Sequence, residues 1–233
     1  MRGTSVTLVT GSRKGIGRHL AEHYLDLGHR VIGCSRGPCG WERAGYTHHQ
    51  ADITAEADVK RLFASIRKEH GTLHNVINNA GIASMNHSLL TPASTVEKVM
   101  RTNLLGTFLA AREAAKLMRR DRYGRIVNFS TVAVPLNLEG EAAYVASKAA
   151  VEALTRVLAR EFAEFGVTVN TIGPTPIKTD LIAGVPVDKI EALIARQPIK
   201  RYGELADFTN VVDFYLREES NFITGQCVYL GGV

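Results

Sequence analysis

No apolar run in this chain approaches the ~20 residues that a helix needs to cross a bilayer, so the sequence predicts no membrane span. The first apolar stretch, Val6 to Thr10, is too short for the core of a signal peptide and runs straight into a glycine turn. Cysteine is scarce: Cys34, Cys39 and Cys227 are odd in number and far apart. That pattern argues against a disulfide framework, and no spacing matches a metal site. Ordinary thiols of this kind suit a reducing cytoplasm. His48-His49 has no further ligand close in sequence and is not read as a metal site. Linkers and low-complexity tracts are also missing, so a single domain over 1–233 is expected. The net charge of +5 could attract an anionic partner. Its only dense basic cluster, Arg119-Arg120-Asp121-Arg122, falls where a helix should end, and cations there suit the helix dipole. Nucleic-acid binding is therefore not expected.

What is present alternates. Strands are expected over 4–10, 30–35, 46–50, 74–78, 124–130, 167–172 and 226–230. Helices are expected over 15–27, 55–69, 94–119, 142–165 and 204–216, with shorter pieces between 179 and 196. Such alternation specifies an α/β fold: a doubly wound, mostly parallel sheet of seven strands with helices on both faces. Binding sites in these sheets lie at the carboxyl ends of the strands. The glycine turn, Asn78 to Gly81, Ser130-Thr131 and Gly173 to Thr179 all follow strands and should converge on one rim.

Two local patterns carry chemistry. Ser5 to Thr10 has the β-branched composition of a buried strand, and Gly11-Ser12-Arg13-Lys14-Gly15-Ile16-Gly17 follows at once. A helical pattern then places Ile16, Leu20, Tyr24 and Leu27 at spacings of three and four, closed by Gly28. Strand, glycine turn and helix start together make a nucleotide-binding corner, where bare backbone and N–H groups can meet a pyrophosphate. The second pattern is Tyr144-Val145-Ala146-Ser147-Lys148 in an alanine-rich helical segment. One turn of helix puts a phenol and an ammonium on the same face. A cation there is expected to lower the phenol's pKa from its ordinary value near ~10, making a usable acid/base group.

With these motifs in order, the chain resembles the short-chain dehydrogenase/reductase family in its single-domain form. The resemblance rests on Thr10-Gly11-x-x-x-Gly15-x-Gly17, Asp52-Ile53, Asn78-Asn79-Ala80-Gly81, Asn103, Tyr144-x-x-x-Lys148, Pro174 and Thr179, and it runs from Val6 to Gly232. Within the family it is most similar to the 3-oxoacyl-carrier-protein reductases, which fit Phe222 to Gln226 and Gly231-Gly232. The resemblance implies an oxidoreductase that reduces a small or carrier-bound carbonyl compound. Tyr144 would donate the proton, and Lys148 would lower its pKa and bind the nicotinamide ribose. Asn103 would support a water leading to the lysine. The family's serine falls at position 131, which is threonine here, beside Ser130. Adjacent residues of extended chain face opposite ways, so only one can serve, and Thr131 is the expected one. Asp52 and Ile53 would contact adenine. Asn78, Asn79, Ala80 and Gly81 would line the cofactor, with Ile177 and Thr179 at the carboxamide. The alternative class is a regulatory or scaffold protein that keeps the nucleotide-binding fold.

The second strand reports on the cofactor. It ends Gly33-Cys34-Ser35-Arg36, without the carboxylate that an NAD-preferring fold usually places there. Ser35 and Arg36, with Arg13 and Lys14 across the turn, suit a 2′-phosphate and predict NADP(H). Gly173-Pro174-Thr175-Pro176 departs from the family's Pro-Gly and stiffens the loop above the nicotinamide. Leu181 to Gln197 reads as a lid, whose Leu181, Ile182, Val185, Val187, Ile190, Leu193 and Ile194 could meet an acyl chain or pack among themselves. Ala142 to Phe165 is apolar around most of its circumference, which predicts a homo-oligomer, a tetramer by family resemblance or else a dimer, sharing Leu104 to Met118.

Overall fold

The computed structural model describes residues 4–179, 182 and 184–233. Seven strands form one parallel sheet: β1 (Val6–Thr10), β2 (Arg30–Ser35), β3 (Tyr46–Gln50), β4 (Asn75–Asn78), β5 (Gly124–Phe129), β6 (Val167–Gly173) and β7 (Cys227–Tyr229). Their order is β3-β2-β1-β4-β5-β6-β7. Every residue of β1, β4, β5 and β6 is buried, as continuous rather than alternating apolar character predicts for a sheet covered on both faces. The edge strand β3, Tyr46-Thr47-His48-His49-Gln50, has no fully buried residue.

Helices α1 (Gly15–Asp26), α2 (Glu56–His70), α3 (Ala93–Met100), α4 (Gly106–Met118), α5 (Ala133–Leu136), α6 (Ala142–Glu161), α7 (Val187–Ala195) and α8 (Leu205–Leu216) follow. One core packs α2, α4 and α6 on the sheet through Leu62, Phe63, Ile66, Leu109, Met118 and Leu158. The other packs α1 and α8 through Leu20, Tyr24, Phe208, Val212 and Tyr215. Phe208 is fully buried with its ring 4.8 Å from that of Phe129. Burying one such side chain stabilises the fold by about 1.5–3 kcal/mol.

The expected helix over 94–119 is broken. A π turn, Arg101–Leu105, separates α3 from α4. Asn103 sits in it, and its side chain bonds both the N–H and the C=O of Ile82 at 2.9 Å. Those long-range bonds hold a turn that helical periodicity alone would smooth over. The expected helix over 142–165 stops at Glu161 and continues as a 3-10 turn, Ala163–Phe165, closed by Gly166 at φ 70°. Between 179 and 196 the described helix is α7 alone. Ile190 and Ile194 are buried in packing, Val187 is exposed, and Leu181 lies outside the described residues. No helix among the described residues is long and apolar enough to cross a membrane.

Candidate active site and dinucleotide cleft

The strand order reverses at β1, with β2 on one side and β4 on the other, and a cleft of about 940 Å³ opens at the carboxyl ends of these strands. Its floor is the glycine turn. Gly11, at φ 70°, donates its N–H to Cys34 O at 2.8 Å. Asn79 Nδ2 donates to Thr10 O at 2.9 Å, and Ala80 N donates to Thr10 Oγ1 at 3.0 Å, so the loop after β4 is tied to the end of β1. A Cβ at Gly17 would fall 2.4 Å from both Gly11 O and Asn79 Nδ2. Gly15, at φ 59°, has nothing within 4 Å of its would-be Cβ and presents bare backbone to the cleft. The start of α1 carries no side-chain cap and no acidic residue, which leaves its N–H groups to a ligand.

Arg13, Lys14 and Ile16 line this cleft with the three glycines. Ser35, Arg36, Asp52, Ile53, Ala80, Gly81 and Thr179 line it too. Asp52 Oδ1 accepts from Thr54 N at 2.8 Å and shapes the turn after β3. Asn78 does not belong here. Its buried amide donates to Asn128 Oδ1 at 2.9 Å, and Asn128 donates to Thr155 Oγ1 at 2.9 Å, so Asn78 joins the core network and Asn79 alone serves the cleft. Ile177 is likewise a core residue, bridged to Gly203, and does not line the cleft. Pro174 O accepts from Val132 N at 3.2 Å and clamps the loop after β6 onto the loop after β5.

Tyr144 and Lys148 lie one turn apart on α6, with Lys148 Nζ 5.9 Å from the phenol ring centroid. Lys148 Nζ donates to Phe129 O at 2.9 Å, and burial lowers its pKa to about 8. Tyr144 keeps part of its surface open, yet burial pushes its pKa up to about 12, Glu141 adds to the rise, and a hydrogen bond from Thr131 pulls the other way. Lys148 is not among the causes of that shift; desolvation of the phenolate sets its direction, and the expected depression by the cation does not show here. At neutral pH the phenol is protonated and the amine is charged. Thr131, buried beside the phenol, also accepts from Ala133 N at 3.2 Å. Ser130 faces away and donates to the carboxylate of Glu152, which accepts from Tyr229 OH at 2.6 Å as well.

Asn103 is fully buried and donates to Ser147 Oγ at 2.9 Å. Its neighbour across the loop is Gly81, where a Cβ would lie 3.2 Å from Asn103 Oδ1 and 3.5 Å from Lys148 Nζ. Gly81 lines the cleft, so the cleft wall reaches the Lys148 ammonium. From the sequence, Thr10 has a place in the glycine motif but no assigned contact, and Ser147 and the Phe129 carbonyl have no assigned role. Ser147 could have been found within the Tyr-x-x-x-Lys motif, but a backbone carbonyl leaves no trace in a sequence. The bare glycine backbone, the cations at one end and the ammonium at the other fit a nicotinamide dinucleotide.

Fold and site together define a nucleotide-binding α/β protein with an acid/base pair at the end of its cleft. The family model described as enoyl-(acyl carrier protein) reductase matches residues 11–232. A short-chain type dehydrogenase/reductase of Picea abies is 32% identical, covering 99% of this chain and 92% of that protein. The 3-oxoacyl-(acyl-carrier-protein) reductase FabG of Escherichia coli (strain K12) is 30% identical, covering 97% of this chain and 96% of that protein. A solved structure described as ElxO with NADP bound superposes with a TM-score of 0.88 at 29% identity, covering 97% of both chains. The chain belongs to the short-chain dehydrogenase/reductase family. It is an NAD(P)-dependent oxidoreductase.

Proposed function

We propose that this chain is an NADPH-dependent carbonyl reductase with 3-oxoacyl thioesters among its substrates. One observation carries the chemistry: the Tyr144 phenol, hydrogen-bonded to Thr131, stands one helical turn from the Lys148 amine, with Nζ 5.9 Å from the ring centroid. When bound, the nicotinamide supplies hydride. Tyr144 donates its proton to the carbonyl oxygen. Thr131 donates a hydrogen bond to the same oxygen as charge develops there. The Lys148 ammonium stabilises the phenolate that remains. Asn103, through Ile82 and Ser147, holds the loop after β4 against α6. The relatives named as 3-oxoacyl reductases support the substrate class. NADPH oxidation with a panel of 3-oxoacyl thioesters and simple ketones tests this reading. Turnover of a 3-oxoacyl thioester is expected. Nucleotide binding without turnover of any member would mark a regulatory or scaffold protein instead.

Several features support NADPH over NADH. No carboxylate ends β2, Arg36 lines the cleft there, and a Cβ at Gly37 would sit 3.2 Å from Arg13 Nη1. A preference of at least roughly tenfold is expected, which requires only about 1.4 kcal/mol from charge-assisted contacts. Arg36→Ala should erode that preference mainly through the KM for NADPH. Equal kcat/KM for the two cofactors in the unmodified protein would overturn the assignment.

The same reading includes a homo-oligomer. Val157 on α6 is 52% exposed, and an apolar hollow of about 390 Å³ lies between Met100, Leu104, Leu105, Phe108 and Leu154. A second copy of α4 and α6 across a two-fold axis would cover both. Light scattering at micromolar concentration is expected to report a tetramer or a dimer; a monomer would sink the idea.

A further inference from the structure

We propose that Tyr46 and His48 form a relay beneath the cleft that positions the 2′-phosphate end of the site. The inference rests on the NADPH reading above. Ser12 Oγ, fully buried in the glycine turn, lies 2.8 Å from Tyr46 OH. Tyr46 OH lies 2.9 Å from His48 Nδ1, and His48 Nε2 lies 3.0 Å from Ser35 Oγ. Ser35 Oγ donates to Gly37 O at 2.8 Å. All these groups are satisfied in one direction: Ser12 donates to Tyr46, Tyr46 to Nδ1, Nε2–H to Ser35, and Ser35 to the Gly37 carbonyl. The chain needs a neutral imidazole with its proton on Nε2.

The surroundings favour that form. Burial lowers the pKa of His48 below its usual value, His49 and Arg13 lower it further, and the Gly37 carbonyl opposes them. Further titratable neighbours of the relay are Cys34 and Cys39, the latter with its thiol 3.9 Å from Tyr46 OH. Space for the relay comes from β2. A Cβ at Gly33 would fall 2.0 Å from Tyr46 OH and 2.1 Å from Ser12 Oγ. Trp41 seals the outer side: its ring stacks on Tyr46 at 4.0 Å, and its Nε1 donates to Ser12 O at 3.3 Å.

The two ends of the relay are the two walls of the phosphate site. Ser12 precedes Arg13, while Ser35 and Gly37 bracket Arg36. Neither Tyr46 nor His48 lines the cleft, so both act through the residues they hold. Ser35, its proton committed to Gly37 O, is a strut for the turn and has none to give a phosphate. That leaves the cations Arg13, Lys14 and Arg36 to bind the charge, and the relay fixes where the two arginines start.

Calorimetric titration of the full chain with adenosine 2′,5′-bisphosphate and with 5′-AMP tests the relay without turnover. The unmodified protein should bind the bisphosphate at least roughly tenfold more tightly. Tyr46→Phe and His48→Leu should each weaken bisphosphate binding by about fivefold, the scale of one or two lost hydrogen bonds, and leave 5′-AMP within about twofold. His48→Gln, whose amide can still donate to Ser35, should recover most of the loss. Unchanged bisphosphate binding in both relay variants overturns this inference and leaves the NADPH reading standing. So does an equal loss of both ligands, which would mark a merely structural role. Equal binding of the two ligands by the unmodified protein overturns the NADPH reading and the relay together.

Discussion

Replacing Tyr144 by phenylalanine is expected to lower kcat for carbonyl reduction by about 10²- to 10⁴-fold, the range for loss of a positioned general acid. The ring and its packing stay, so KM and cofactor affinity should change little. The unmodified protein carries a second signature of the same chemistry. Reduction needs the phenol protonated and the lysine charged. With Tyr144 pushed up to about 12 and Lys148 down to about 8, both forms coexist at pH 7. Lys148 loses its charge as pH rises through about 8, so the reductive rate should fall above that point. Alcohol oxidation needs the phenolate and should climb with pH over the same interval. PH–rate profiles in both directions check this, and a reductive rate that stays flat well above pH 8 would contradict the assignment of Lys148.

Thr131→Val should cost kcat roughly 10²-fold or more, the scale for one lost oxyanion donor. Valine keeps the volume and removes the hydroxyl that meets Tyr144. Thr131→Ser keeps the donor and should retain substantial activity. Ser130→Ala should cost far less. Its hydroxyl serves Glu152, which keeps Tyr229 as a partner after the change. A severe defect in Ser130→Ala beside a near-normal Thr131→Val would move the catalytic hydroxyl to the neighbouring residue.

The strands were legible because a sheet covered on both faces writes itself as short apolar runs between turns, and β1, β4, β5 and β6 are such runs. The π turn was not legible. Helical spacing continues across Met100, Leu104 and Phe108, and the cause of the break lies in Ile82 and Ser147, 21 and 44 residues from Asn103. Asn78 and Asn79 were inseparable by motif because the strand's last residue decides which one leaves the core, and strand ends blur by a residue or two. The Tyr144–Lys148 spacing fixes a shared face but says nothing of burial, and burial decides the phenol's pKa. Tyr46 and His48 share one face of β3 by simple alternation, yet only the missing side chain at Gly33 turns that face toward the phosphate turn.

The placement of β1 bears on how the chain is made. Of the seven strands it is the first in chain order, and it ends up inside the sheet with a neighbour on each side. One neighbour, β2, follows almost at once. The other, β4, supplies Asn75 as the partner of Thr7, 68 residues further on. Until that segment emerges, the nascent β3-β2-β1 sheet has an open edge made of Val6-Thr7-Leu8-Val9-Thr10. Closing so long a loop is slow, and an unpaired β-branched edge invites association with other chains. The outer strand β3 is short and polar and makes a poor template. The aggregation hazard during synthesis therefore sits on an edge that the finished protein hides completely.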